Sequence, residues 1–237
     1  MYVQMEAAPG GRAAETRRRL LEAAVEVFAE EGFRGATLQE IARRADANVA
    51  STAYHFGNKE GLYAAVFEYA ERRMAELQPP HSGPGEGEDG TLPADERLRR
   101  HVGAFLTRLL DPRRPAWFAR LLAREMIEPT PALDRLVRRR MRANHEQLAT
   151  ILRELLGPDA SNEDVRLCTL SVVAQCTFYR HSAPIVARLY PELAPAREIE
   201  RIAAHITRFS LAAVRDLRPR GALRAPDEHG RRKERGS

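Results

Sequence analysis

At 237 residues, 43% hydrophobic and 30% charged, the chain can bury one sizeable core or two small ones, and its balance is that of a soluble globular protein. The formal net charge of +5 favours a nucleic-acid partner, but much of it lies in the tail "HGRRKERGS", so the global charge says little. Cys168 and Cys176 on one expected helix exclude a disulfide framework and point to buried thiols, no apolar run reaches membrane-spanning length, and "MYVQMEAAPGGRAAE" lacks a signal peptide's apolar segment, so the cytoplasm is expected.

Residues 1–14 are small, polar and rich in Gly and Pro, and are expected to form a disordered tail in which Met5 is an alternative start. From Glu15 to Glu31, Leu20, Leu21, Ala24, Val27 and Phe28 recur at helical spacing, and Gly32 ends that helix. Thr37, with Glu40 three residues on, is a capping-box signature for a short helix through "LQEIARRA". "DAN" interrupts it, Val49 to Phe56 forms a third helix, and Lys59 starts a fourth to about Leu77 with Leu62, Val66 and Tyr69 inward.

Residues 79–95 are expected to be a flexible loop. Their Gly85, Gly87 and Gly90 spell Gly-x-Gly-x-x-Gly, but Pro-rich flanks and Glu86, Glu88 and Asp89 rule against a phosphate cradle. Helical stripes then recur: Leu98 to Leu109, Trp117 to Met126, and a long helix from Leu133 to Leu155. Ser161 with Asp164 caps a helix over about 162–181 that is apolar nearly all round, hence deeply buried or in an interface. Ile199 to Leu217 gives a last amphipathic helix, and 219–237 is expected to be a basic disordered tail. The fold class is all-α: an N-terminal three-helix DNA-binding domain with a helix-turn-helix over 15–60, then a larger helical ligand-binding and dimerisation domain over 61–218.

The stretch "NVASTAYHFGNKEGLY" is the most specific part of the chain. A helix closed by "YHF" and restarted by "NKEGL" follows a second helix, and Leu38, Ile41, Ala45 and Phe56 share a core with Phe28 and Phe33 of the first. Together with "LLEAAVEVFAEEGFRGATLQEIARRA", these residues resemble the TetR family of bacterial transcriptional repressors over about 45 positions. "LLAREMIEPTPALDRL" and "VAQCTFYRHSAPIV" resemble the C-terminal domain of the drug-responsive efflux regulators within that family.

The resemblance implies a homodimer whose two reading heads enter successive major grooves of a palindromic, double-stranded operator, and a small organic effector whose binding releases the DNA. It implies that Thr37 sits against a phosphate and that Gln39 reaches a base edge, where Gln can pair adenine bidentately. Asn48, Val49, Ala50 and Ser51 match base-facing positions; Tyr54 and His55 match phosphate-contacting ones, and Lys59 adds charge. The alternatives are core packing for Tyr54, a surface helix end for His55 and a plain N-cap for Thr37. The turn departs from the family pattern, with Asp46 and Ala47 where Gly is usual and Asn48 as the residue to take the left-handed conformation. Ala53 stands where the family often has Tyr, so one contact is missing.

For the effector, polar residues on apolar stripes are the clues. Trp117, Phe118, Glu125, Met126, Asn144, Gln175, Phe178 and Tyr179 are candidate lining residues for an amphipathic molecule, the alternative being ordinary core, with Glu125 paired to an Arg such as Arg180. The helices near 162–181 and 197–217 are the candidate dimer surface. An enzyme has little support: "NHEQLA" has Ala149 where a zinc-protease motif needs its second His, and no catalytic triad, metal or cofactor site is expected. A helical scaffold would not need the "YHFGNKEGL" restart.

Overall fold

The computed structural model describes residues 9–77 and 91–218. Its α-helices are α1 (Pro9–Gly35), α2 (Leu38–Arg44), α3 (Val49–Phe56), α4 (Lys59–Glu76), α5 (Ala94–Leu110), α6 (Ala116–Ile127), α7 (Pro131–Leu136), α8 (Arg142–Leu156), α9 (Asn162–His181), α10 (Ala183–Leu189) and α11 (Ile199–Leu217). A π turn, Val137–Met141, joins α7 to α8, and among the described residues there is no strand.

The described residues divide into two compact units, 9–77 with 111–143 and 91–110 with 144–218. In the first, Leu20, Leu21, Ala24, Val27 and Phe28 of α1 are buried, as their spacing requires, against Ile41, Leu62, Val66, Phe67 and Leu121. Each of the Leu, Val, Ile and Phe side chains contributes about 1.5–3 kcal/mol of burial free energy, and Phe28→Ala would cost about 3–5 kcal/mol. In the second, Leu98, Val102 and Leu106 of α5 meet Leu148 and Leu152 of α8, Val172 and Cys176 of α9, and Ile202 and Ile206 of α11. Cys168 and Cys176 are free and buried, and burial pushes the Cys176 thiol up to about 12.

Several boundaries differ from those expected. Helix α1 begins at Pro9, inside the stretch assigned to a disordered tail, because Pro is compatible with a first turn and "RAAE" continues it with good helix formers. Gly32 interrupts α1 with φ 73°, a conformation that suits Gly, and one further turn follows to Gly35. Helix α5 starts at Ala94, within the expected loop. The expected helix through Leu133–Leu155 is broken by the π turn, and α10 was not anticipated. The division at residue 60 also differs from the compact units: it would cut α4, whose Leu62 and Val66 belong to the first core, and α6 and α7 contribute Leu121 and Leu136 to that core. The expected disorder of 1–8 and 219–237 and the loop over 79–90 fall outside the described residues. No helix among the described residues is long and apolar enough to cross a membrane.

Candidate nucleic-acid interface

Helix α2 starts where the sequence says it should. Thr37 is extended, and its Oγ1 accepts from the Glu40 N–H at 3.2 Å. The hydroxyl hydrogen remains a donor, so a cap and a phosphate contact are compatible. Among the described residues only the Thr37 half of the capping box forms. Glu40 instead accepts from Arg43 (2.8 Å) and Arg44 (2.7 Å), and these bonds hold its carboxyl down to about 2.

The turn is a Schellman closure. The Asp46 N–H donates to the Arg43 carbonyl and the Ala47 N–H to the Ala42 carbonyl. Asp46, with φ 48°, is therefore the left-handed residue, which corrects the assignment to Asn48. Asp tolerates this region better than most side chains. Asn48 lies at φ −81° because its work is different: Oδ1 caps α3 by accepting from the Ala50 N–H at 2.9 Å.

That geometry presents α3 by its first turn. Gln39, Asn48, Val49 and Ala50 are exposed and Ser51 is half-buried, so the helix offers small side chains beside one long amide. Thr52 turns inward. Tyr54 is 82% exposed, which removes core packing as its explanation, and His55 lies edge-on to it at 5.0 Å. Ala53 is exposed and carries nothing to reach with.

The restart depends on Asn58 and Gly61. Asn58 Oδ1 accepts from the Gly61 N–H at 2.8 Å, and a Cβ at Gly61 would overlap the Phe56 carbonyl oxygen. Only glycine lets α4 leave α3 so sharply, which is the physical content of "GNKEGL". Lys59, expected at a phosphate, donates to the Arg34 carbonyl at 3.2 Å and lies 4.9 Å from the Phe33 ring centre. Its first engagement is with the fold, tying α4 to the end of α1. Sequence reading missed Arg17 of α1, whose guanidinium stands 5.1 Å over the Phe56 ring.

The eight candidate effector residues fare unevenly. In the first unit, Glu125 is fully buried as its spacing implied, but its partners are not arginines. It accepts from Tyr63 Oη (2.6 Å), the Thr130 N–H (3.0 Å) and Thr130 Oγ1 (2.9 Å). Burial, reinforced by Glu125, raises the Tyr63 pKa. This bond network ties α4 to the α6–α7 turn and leaves Glu125 a structural role. Trp117 stacks with Tyr69 and packs edge-on to Phe118, while Met126, expected inward, is more than half exposed.

In the second unit, Asn144 accepts from Arg108 at 3.1 Å, and Gln175 donates to Ser210 at 3.4 Å. Phe178 is exposed. Tyr179 lines a cavity of about 500 Å³ with Leu193, Arg201, Ile202, His205 and Arg208. Among the described residues no group of three or more His, Cys, Asp or Glu could hold a metal ion.

Comparisons with known proteins match the two ends of the chain to two different domains. Residues 20–66 match the bacterial regulatory proteins of the tetR family, and residues 94–214 match the C-terminal domain of the HTH-type transcriptional dual regulator CecR. CecR of Shigella flexneri is 25% identical over 170 residues, covering 70% of this chain and 76% of CecR. The HTH-type transcriptional repressor NicS of Pseudomonas putida is 42% identical over 69 residues, 28% of this chain and 32% of NicS. A transcriptional regulator from Rhodococcus sp. Rha1 has the same fold, with a TM-score of 0.55 at 21% identity over 83% of this chain and 96% of its own.

Proposed function

The chain belongs to the TetR family of transcriptional regulators, with a C-terminal domain of the CecR type, and on that premise we propose that it is a repressor that binds a palindromic operator as a homodimer and is released by a small organic effector in the cytoplasm. The observation that carries the DNA part is the surface of α3, a side-chain-capped helix with small residues at its start and an 82% exposed tyrosine near its end. Val49, Ala50 and Ser51 allow close approach to the groove floor, where methyls meet thymine and short polar groups meet base edges. The Asn48 amide and Gln39 read hydrogen-bonding edges. Thr37, Tyr54 and His55 hold phosphates, with Lys59 adding charge at the fourth helix.

The homodimer reading is supported by apolar surface. Leu167, Leu170 and Phe178 on α9, and Phe209 and Leu217 on α11, are each about half exposed. Two copies facing each other through these helices would form a four-helix bundle. Reading heads held about 34–36 Å apart fit successive grooves together, so an effector that prefers another spacing releases DNA by population shift. The effector is proposed to bind the C-terminal part, with Tyr179, which lines the cavity there, the best placed of the candidate residues.

A reporter assay tests this reading. Placed in a promoter, the palindrome that the protein selects from random DNA should make reporter output fall when the chain is co-expressed. A compound that raises the protein's melting temperature should restore output, and Tyr54→Ala should fail to repress. Output that the chain leaves unchanged would exclude repression.

A further inference from the structure

We propose that Arg17 is a phosphate clamp: its exposed guanidinium, held 5.1 Å over the Phe56 ring, grips the DNA backbone at the edge of the half-site read by α3. This rests on the reading that α3 enters the groove. The neighbouring cations are already engaged. Arg18 is bound by Glu15 and Glu22, Arg19 reaches Asp46 at 3.5 Å, Arg43 and Arg44 share Glu40, and Arg44 also holds Glu30. Lys59 is turned to the Arg34 carbonyl.

Arg17 differs in kind. Among the described residues its side chain has no ion pair and no hydrogen bond, and its partner is an aromatic face. Such a face orients a guanidinium without neutralising it, which leaves its fork of N–H donors open. A rigid planar fork with its charge intact can grip two oxygens of a phosphate at once. Phe56 is the last residue of α3, directly after Tyr54 and His55, so the cation stands at the end of the helix where phosphate contacts are expected. The "YHF" phenylalanine thereby has a second role, as the platform that aims Arg17.

Fluorescence anisotropy across a salt series tests the clamp, using the full chain, a labelled mixed-sequence duplex and the duplex that the wild-type chain enriches from a random pool. Each lost phosphate contact lowers the slope of log affinity against log salt by about 0.9. Arg17→Gln should show that decrease per bound protomer on both duplexes, with base preference unchanged, and Arg17→Lys should keep the wild-type slope. An unchanged slope for Arg17→Gln overturns the proposal. So does an equal loss with Arg17→Lys, because it would mean the side chain supports α3 rather than meeting DNA. If the wild-type chain enriches no palindrome, the operator reading fails, while the mixed-sequence slope still decides Arg17.

Discussion

The face carrying α2 and α3 and the face carrying α9 and α11 are both exposed, yet they are finished differently. On the first, helix starts are closed by Thr37, Asn48 and Asn58, the side chains are small or polar, and Tyr54 ends in a hydroxyl. On the second, Leu167, Leu170 and Phe178 fall on one stripe of α9, and Phe209 and Leu217 on one stripe of α11. A polar, capped face keeps its hydrogen-bonding groups in water until a partner with donors and acceptors replaces the water. An apolar stripe gains by meeting another apolar stripe. On the proposed reading, DNA meets the first face and a second copy meets the other.

The sharpest way to break this assignment is to put charge on the apolar face. Leu170→Glu combined with Phe209→Glu should leave a monomer in sedimentation. Because two linked heads bind far more tightly than one, operator affinity should drop by about 100-fold or more. A dimer that persists with normal operator affinity would mean the α9–α11 face serves something else.

The next effect lies in the interior of the first unit. Glu125→Ala leaves the Tyr63 hydroxyl and the Thr130 N–H without their acceptor, at a cost of about 3 kcal/mol of stability. Below the melting temperature, oligomeric state and operator affinity should be unchanged, which separates a structural role from an effector role. The same network sets an alkaline limit. Below the ordinary tyrosine value of 10.0 the hydroxyl is protonated in both states, so its contribution is intact. Above it the unfolded chain ionises first, so stability falls as pH rises. Tyr63→Phe should remove that alkaline loss, as measured by melting temperature across pH.

Legibility follows range. Thr37, Gly32 and Ser161 mark helix ends through contacts a few residues long, and the stripes of α1 and α4 follow from period alone. The inward placement of Glu125 was legible on the same ground. Its partner was not, since Tyr63 is 62 residues away and nothing in periodicity pairs them. Arg17 was missed for the same reason: it meets Phe56 only once α1 and α3 are packed. The turn was half legible. A non-glycine left-handed residue was expected, but the capping demand of α3 takes Asn48 and leaves Asp46 to adopt it. Met126 shows the limit of a stripe, because α6 buries Leu121 and Glu125 while the next position turns outward.

Selection from a random DNA pool, with wild-type protein and with Gln39→Ala, tests the central claim most directly. The account predicts that the wild-type chain enriches an inverted repeat with half-site centres about one helical turn apart. Gln39→Ala should relax preference at one position in each half-site, by about 1–3 kcal/mol, and leave the rest intact. Enrichment of no inverted repeat, or an identical base preference in the variant, would contradict it.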